Sequence, residues 1–121
     1  MLAPACAGVG PRVEALSAAD RGAGVAVAAQ VRRCYRSPNV PSPGRRIVTR
    51  LLARYTPDGA LSGVPILLWQ QGVTPESQAY AGRMAEAAKL AVIRCNPVSL
   101  PRRRKAKAIE FYLTFSPQLA A

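Results

Sequence analysis

The side chains able to carry out chemistry in this 121-residue chain are three cysteines and six acids, and there is no histidine. Acid–base catalysis needs two such groups within hydrogen-bond reach of one proton. The acids are scattered, and no pair has the spacing of one helix face or one strand face: Glu14, Asp20, Asp58, Glu76, Glu86 and Glu110. We therefore predict that the protein is not an enzyme.

The shortage of cysteine, histidine and clustered acidic residues also argues against metal and cofactor sites. Tetrahedral zinc sites are built from closely spaced Cys and His, and the chain has no CxxC pair. Gly59 and Gly63 belong to neither a GxGxxG nor a GxxxxGK pattern, so no phosphate-binding loop is indicated. The sequence predicts no metal and no cofactor.

Two of the cysteines occupy matching positions. Cys34 in VRRCYRSP (31–38) and Cys95 in VIRCNPVSLP (92–101) each follow an Ala-rich apolar segment and precede a proline. If both segments are helices, both cysteines end an apolar stripe and point into one core. A disulfide would close a loop of about 60 residues and contribute about 4 kcal/mol in the chain-entropy treatment. Two ordinary buried thiols are the alternative. Cys6 is left over and is expected to be unpaired.

Two features of the sequence give opposite indications of the cellular location. A disulfide implies an oxidising compartment. The start MLAPACAGVG has no charged region followed by an apolar region, so we expect no export signal. No apolar run approaches the roughly 20 residues that span a bilayer, so we expect no transmembrane segment.

Seventeen Lys and Arg against six acids give a net charge of +11. Such a charge attracts anionic partners over long distances. A small basic protein that binds nucleic acid or an anionic surface is therefore an alternative function, carried by the run Arg102, Arg103, Arg104 and Lys105 with Arg45 and Arg46. Against it, the run has no interleaved aromatic residues and no recognisable nucleic-acid-binding motif.

The first half of the chain predicts a helix and two strands. Residues 23–36 carry Val27, Val31 and Cys34 at helical spacing, and prolines from residue 38 onward end the helix. Residues 46–55 alternate, and the uncharged set is the expected core face: Ile47, Thr49, Leu51, Ala53 and Tyr55. The second strand is expected at 61–70, where Gly63 and Pro65 indicate an irregular or edge strand. A structural turn joins the two strands through Pro57, Asp58 and Gly59.

The second half predicts a helix and a strand. Thr74 is the expected N-cap of a helix over 75–94, with Pro75 at its first position. Its apolar stripe is Tyr80, Met84, Ala87, Ala88, Ala91 and Cys95. The segment AIEFYLTFSP then alternates as a half-buried strand. Its expected inward residues are Ile109, Phe111, Leu113 and Phe115.

These elements predict an α+β fold of order helix-strand-strand-helix-strand, with a three-stranded antiparallel sheet and two helices on one face. Residues 1–22 mix Gly, Pro, Ala and isolated charges, which favours a flexible N-terminal arm or linker remnant. The domain is expected over 23–117, and 118–121 form a tail.

The linked motifs VRRCYRSP…RIVTRLLARYTPDGALSGVP…AAKLAVIRCNPVSLP…IEFYLTFSP resemble the C-terminal domain of TolA, of the type found in alphaproteobacteria, and more distantly the TonB C-terminal domain. The resemblance covers residues 25–117. Tyr35 stands where the family usually has Trp, and Val98 where it usually has Phe; both changes reduce aromatic packing volume. The resemblance also implies a disulfide between Cys34 and Cys95.

The resemblance implies a periplasmic interaction module of the Tol-Pal system, which maintains the outer membrane during cell division. Family members bind envelope partners such as TolB and Pal, and filamentous phage and colicins use them for entry. The TolA inner-membrane helix and stalk are missing from this sequence, so we expect either a fragment of such a protein or a stand-alone domain.

Binding by strand addition is expected at the last strand. If that strand joins the first strand of the hairpin, it lies at a sheet edge and leaves N–H and C=O groups free for a partner. The expected partner-binding residues are Lys107, Ile109, Glu110, Phe111, Tyr112, Leu113 and Thr114. Lys105, Lys107 and Glu110 flank this edge, and such charges equally protect an edge from aggregation.

Overall fold

The computed structural model describes residues 12–16, 21–100 and 108–116, which form an α+β architecture of two α-helices and a four-stranded antiparallel sheet. The order of strands across the sheet is β1-β4-β2-β3. The elements, in chain order, are β1 (Arg12–Leu16), α1 (Arg21–Cys34), a short 3-10 helix (Gly44–Arg46), β2 (Val48–Tyr55), β3 (Ile66–Gln71), α2 (Gln78–Arg94) and β4 (Ile109–Ser116).

The inward face of the sheet is built by the two central strands. Leu51 lies opposite Leu113, and Ala53 lies opposite Phe111, so the alternating apolar residues of β2 and β4 meet in pairs. The predicted inward residues of both strands are at most 4% exposed. The two predicted core faces are therefore confirmed, because a period of two places all members of each set on one side of the sheet.

Both helices cover this same face. Val27 and Val31 of α1 and Ala88 and Val92 of α2 are fully buried, in one apolar cluster with the inward side chains of β2 and β4. Small alanines let α2 lie close to the sheet. At one edge of the sheet, α1 packs mainly against β1, and at the other α2 reaches β2 and β3. The opposite face of the sheet is left with exposed side chains.

The fourth strand corrects two predictions. The sheet has four strands rather than three, because β1 pairs antiparallel with β4 from Arg12 opposite Ser116 to Leu16 opposite Tyr112. Residues 12–16 therefore belong to the domain and not to a loose arm. Val13 is 6% exposed, so this strand contributes to the core. Its alternation covers only five residues, which is too short to stand out among the neighbouring Gly and Pro.

Element boundaries differ from prediction where local hydrogen bonds compete with regular structure. Leu61 makes an isolated bridge to Tyr55, and β3 begins only at Ile66, after Gly63 with φ +81°. The helix predicted from residue 75 begins at Gln78. Before it, the Thr74 amide donates to Ser77 Oγ (2.8 Å), and the Ser77 amide donates to Thr74 Oγ1 (3.3 Å). This reciprocal pair forms a turn that precedes the helix instead of its first turn.

Candidate partner-binding edge

The predicted edge strand is an inner strand. β4 lies between β1 and β2, so its backbone is paired on both sides over residues 112–115. The expected partner-binding residues Ile109, Glu110, Phe111, Tyr112, Leu113 and Thr114 all lie on this inner strand. The prediction that this strand lies at the edge of the sheet was wrong, because β1 pairs with its other side. Lys105 and Lys107 lie outside the described residues.

The side chains of that inner strand already have other roles. Ile109, Phe111 and Leu113 are in the core, at 4%, 0% and 0% exposure. Glu110 forms an ion pair with Arg54 on β2. Tyr112, at 41% exposure, remains accessible on the uncovered face. No backbone surface for strand addition is therefore left along the paired part of β4.

Of the two strands that end the sheet, β1 carries the charged residues Arg12 and Glu14, whereas β3 has no charged residue along its outer edge. Within the described residues it pairs only with β2, and it ends the strand order. Its apolar side chains are exposed, together with two valines that flank the strand. These residues are Val64, Ile66, Leu67, Leu68, Trp69 and Val73, and we call them the β3 edge surface. Prediction of an irregular or edge strand from Gly63 and Pro65 is confirmed here.

The segment that forms the β3 edge surface contains no charged residue of its own. The sequence between Asp58 and Glu76 contains none, in a chain with 23 charged residues (17 Lys and Arg plus 6 acids). Soluble proteins usually guard an exposed apolar edge strand with lysine, proline or an inward-pointing charge, because the unpaired backbone otherwise pairs with other chains. A charge-free apolar edge in so basic a protein is a surface suited to a partner.

A bulge shapes this edge. The pairing of β2 with β3 shifts between Arg50 and Leu51, and Leu68 has no partner residue on β2. Trp69 thus lies opposite Arg50, and Ile66 lies opposite Leu52, on the uncovered face. Bulges bend and twist a strand locally and redirect its side chains. Here the bulge brings Trp69 and Ile66, three residues apart, to one face.

On the uncovered face, Arg50 and Trp69 form a stacked pair. The Arg50 guanidinium carbon is 5.1 Å from the centre of the Trp69 ring, and its Nε donates a 3.1 Å hydrogen bond to Thr114 Oγ1. Cation–π stacking of this kind contributes about 0.5–1 kcal/mol at an exposed site. The stack holds the indole, which is 36% exposed, in a defined orientation beside the free edge.

Next to this stack lies a shallow cavity of about 220 Å³. Its apolar wall comes from Leu52, Val64 and Ile66, and Arg54 lines it as well. The Arg54 guanidinium is held by Glu110 across the sheet. The cavity is thus an apolar recess with a fixed ion pair beside it, between β2 and the start of β3.

Side-chain bonds on the inner side anchor β3 to the rest of the domain. Gln70 Nε2 donates to Thr49 Oγ1 (3.2 Å) and to the carbonyl oxygen of Ala81 in α2 (2.9 Å). Thr49 is 2% exposed, so this link is partly buried. These bonds fix β3 to β2 and α2, which favours binding because less ordering entropy has to be lost.

A second cavity, of about 450 Å³, lies beside β1 and α1. Val13, Ala15, Val25 and Ala28 supply most of its apolar lining, and Glu14 is its one acid. A single carboxylate without a second acid or a cysteine does not provide the paired groups that acid–base catalysis uses. This cavity adjoins the edge formed by β1 and is also lined by Arg32 and Arg50, whereas the smaller cavity adjoins the uncharged strand β3.

The predicted disulfide is present. Cys34 and Cys95 are bonded, with their Cα atoms 5.8 Å apart, within the usual range for disulfides. The bond joins the C-terminal end of α1 to the residue that follows α2. The Sγ atom of Cys95 lies 3.0 Å from the carbonyl oxygen of Gln30. Cys6 lies outside the described residues, as does the basic run 102–105.

The sequence motifs on either side of the disulfide also contact one another. The predicted turn of Pro57, Asp58 and Gly59 is present, closed by bonds from the Thr56 amide to the Ala60 carbonyl (2.8 Å) and from the Gly59 amide to the Thr56 carbonyl (2.9 Å). The Leu61 amide donates to Asn96 Oδ1 at 2.7 Å. The hairpin turn is thereby fixed to the loop that follows Cys95.

The pKa values of two core tyrosines are perturbed. Burial raises the pKa of Tyr55 to about 12 and that of Tyr35 to about 12, although a hydrogen bond with Ser37 acts in the opposite direction on Tyr35. Among the described residues, Tyr55 Oη has no hydrogen-bond partner. Both rings pack in the core, Tyr35 against Phe115 and Tyr55 against Phe111, so we read these shifts as structural.

The described part of the chain has neither a metal-binding cluster nor a helix that could span a membrane. It contains no group of three His, Cys, Asp or Glu side chains that could hold a metal ion. Neither α1 nor α2 is long and apolar enough to cross a membrane. No protein-family model, no curated protein and no solved structure matches the sequence.

Proposed function

We propose that this protein is a non-enzymatic protein-interaction module that binds an extended segment of a partner by strand addition at the outer edge of β3. The observation that carries the proposal is the charge-free, exposed apolar edge strand in a chain of net charge +11. In strand addition, the partner's backbone pairs with the free N–H and C=O groups of the edge, and alternate side chains provide specificity.

For the cellular setting, we propose a periplasmic module of the Tol-Pal system with envelope partners of the TolB and Pal type, and with phage or colicin domains as further binders. Two observations support this setting. A disulfide persists in oxidising compartments. The residues that carry the resemblance to the TolA C-terminal domain also contact one another, since the turn at Gly59 packs against the loop that follows Cys95.

A substitution that introduces lysine at the bulge of β3 tests the proposal. Leu68 is 40% exposed and pairs with no β2 residue, so Leu68→Lys leaves the fold intact and places a charge on the edge. Leu90→Lys, at 37% exposure on α2, is the matched control. A display library of random nine-residue peptides is selected against each variant, and amide hydrogen exchange is measured on the complexes.

We expect peptides that bind the wild type and Leu90→Lys, with new amide protection confined to β3, and loss of binding to Leu68→Lys. If bound peptides protect β1 or leave β3 exchange unchanged, the site is elsewhere and strand addition at β3 is refuted. If both lysine variants bind equally, the edge does not form the contact.

The second candidate is a nucleic-acid or anionic-surface binding protein. The observation in its favour is the Arg50–Trp69 stack with Tyr112 exposed on the same sheet face, because single-stranded nucleic acids stack their bases on such side chains. Binding of a single-stranded oligonucleotide, with a steep decrease as salt rises, would support it. Peptide binding with weak salt dependence favours strand addition instead.

A further inference from the structure

The uncovered sheet face next to the β3 edge surface carries features that strand addition alone does not use. A strand added to β3 would lie about 4.8 Å beyond it, and every second side chain would point to the uncovered face. Those side chains would meet Trp69 and Arg50 in one row, and Ile66 and Leu52 in the neighbouring row. The two rows differ in chemistry, because one ends in a guanidinium and the other in an apolar recess.

We propose that the segment accepted by β3 is acidic and amphipathic: a carboxylate binds Arg50 across the Trp69 ring, and an apolar side chain fills the cavity of Leu52, Val64 and Ile66. This inference rests on the proposed strand addition and specifies the partner's chemistry. The two anchoring side chains of the partner lie two or three residues apart, because the bulge separates Ile66 and Trp69 by three positions on one face.

Arg50 is the positive charge that remains available in its row. Its described contacts are a hydrogen bond to the neutral Thr114 hydroxyl and the stack on Trp69, and neither cancels the charge. Glu14 lies opposite Thr114 on β1, yet Arg54 and Glu110 form the one ion pair in residues 12–16, 21–100 and 108–116. A carboxylate above the indole would make a charge-assisted hydrogen bond to Arg50 while the ring shields it from water.

The distance between strands permits this contact. The added strand would be two strand spacings, about 9.6 Å, from β2. The Arg50 guanidinium lies between Thr114 of β4 and the Trp69 ring of β3, so a Glu side chain that reaches across the indole from the partner would meet it. Asp is shorter and would bind less well.

Charge complementarity also selects an acidic segment over a second copy of this chain. Two copies would each bring +11, and their mutual repulsion opposes pairing of the two β3 edges. An acidic segment is attracted by the same field before it docks. The net positive charge therefore raises the association rate of acidic partners, and Arg50 binds the partner's carboxylate in the complex.

The experiment repeats the nine-residue library selection with wild type, Arg50→Gln and Arg33→Gln. Arg33 is exposed on α1, which packs at the opposite edge of the sheet, so its variant loses the same charge without touching the site. We expect peptides from wild type and Arg33→Gln to be enriched in Glu two or three positions from an apolar residue. Arg50→Gln should still select extended peptides, with the enrichment in Glu lost.

Affinity measurements then isolate the contact. One selected peptide and its Glu→Gln analogue are compared on each variant, and we expect about a tenfold preference for Glu on wild type and Arg33→Gln. On Arg50→Gln the two peptides should bind equally. Equal Glu enrichment on Arg50→Gln and Arg33→Gln would overturn the inference and leave strand addition standing, since the preference would then come from overall charge.

Other outcomes are also decisive. If wild type selects no peptide, strand addition and the acidic partner both fail. If wild type sediments as a dimer and Leu68→Lys is monomeric, the edge binds a second copy, which contradicts an acidic partner. If Arg50→Gln loses binding to a single-stranded oligonucleotide while no peptide is selected, the face recognises nucleic acid instead.

Discussion

The amide of Val98 donates a 2.8 Å hydrogen bond to the carbonyl oxygen of Gly59, and the two backbones are in direct contact. Gly59 has φ +92°, and a Cβ atom built on it would lie 1.8 Å from the Val98 carbonyl oxygen. Only glycine fits this position. The contact joins the hairpin turn after β2 to the loop after α2, and thus links two motifs whose contacting residues are 39 positions apart in the sequence.

Gly59→Ala is expected to destabilise the fold by about 2–4 kcal/mol, since it combines a left-handed backbone with a clash against main-chain atoms. Gly63→Ala is the control, because Gly63 has φ +81° but no atom within 4 Å of the added Cβ. That variant should lose only about 1 kcal/mol. Urea unfolding followed by circular dichroism measures both, and equal losses would show that the Val98 contact is unimportant.

Removal of the disulfide is expected to lower the free energy of unfolding by about 4 kcal/mol, from the chain entropy of a loop closed over a separation of 61 residues. The comparison uses Cys6→Ser as the background, with and without Cys34→Ser and Cys95→Ser. Urea unfolding of each, with and without reductant, gives the difference. Unchanged stability in the triple variant would contradict the prediction.

Thiol alkylation and mass measurement provide a direct check of the pairing. In the oxidised wild-type protein, Cys34 and Cys95 should resist alkylation until reductant is added, and peptide mapping should find them joined. Alkylation of both in the native state would refute the disulfide and remove one support for the oxidising compartment.

Tyr55→Phe should stabilise the fold at neutral pH by about 1 kcal/mol, because the Tyr55 hydroxyl is buried without a partner among the described residues. Tyr35→Phe is the control, since the Tyr35 hydroxyl shares a hydrogen bond with Ser37. It should give no such gain. Thermal unfolding of the two variants distinguishes them, and a loss of stability in Tyr55→Phe would indicate that its hydroxyl is bonded.

The same two tyrosines predict a pH dependence. Their pKa values are raised from 10.0 to about 12 in the folded state, so the unfolded chain releases these protons first as pH rises. The free energy of unfolding should therefore be unaffected by them below pH 10 and fall between pH 10 and about 12. Tyr55→Phe should show a shallower fall than wild type, and identical slopes would contradict the assignment.

Gln30→Ala is expected to cost about 1 kcal/mol. The Gln30 side chain donates to the Ser99 carbonyl (2.8 Å) and accepts from the Ser99 amide (2.7 Å), so it joins α1 to the loop after α2 as a strand would. Gln78→Ala, at an exposed position at the start of α2, is the control and should change stability little. If the two variants lose equal stability in urea unfolding, the hydrogen bonds between Gln30 and Ser99 do not contribute to stability.

Local features of the fold were predictable because their signals are local. The alternation around Leu51 and Leu113 marked the inward faces of β2 and β4, and both sets are buried as expected. Cys34 and Cys95 could be paired because each ends an apolar helical stripe, and two such stripes on one small core bring their ends together. The Pro57–Gly59 turn followed from its residue types alone.

The candidate site was predicted less well. The segment from Ile66 to Trp69 was recognised as an irregular or edge strand, but binding was assigned to β4. One available signal pointed to β3, namely the absence of charge between Asp58 and Glu76. That signal identifies an unprotected apolar segment, yet it does not say whether the segment is covered in the fold.

The sequence by itself determined the two helices, three of the four strands and the inward faces of β2 and β4, and it favoured pairing of the two cysteines, since periodicity and turn chemistry act over a few residues. Only the tertiary structure decided which strands lie at the edges. Arg12 pairs with Ser116 from the opposite end of the chain, and this non-local pairing makes β4 an inner strand and leaves β3 as an exposed edge. Strand order depends on hydrogen bonds between distant segments, and no local pattern encodes them.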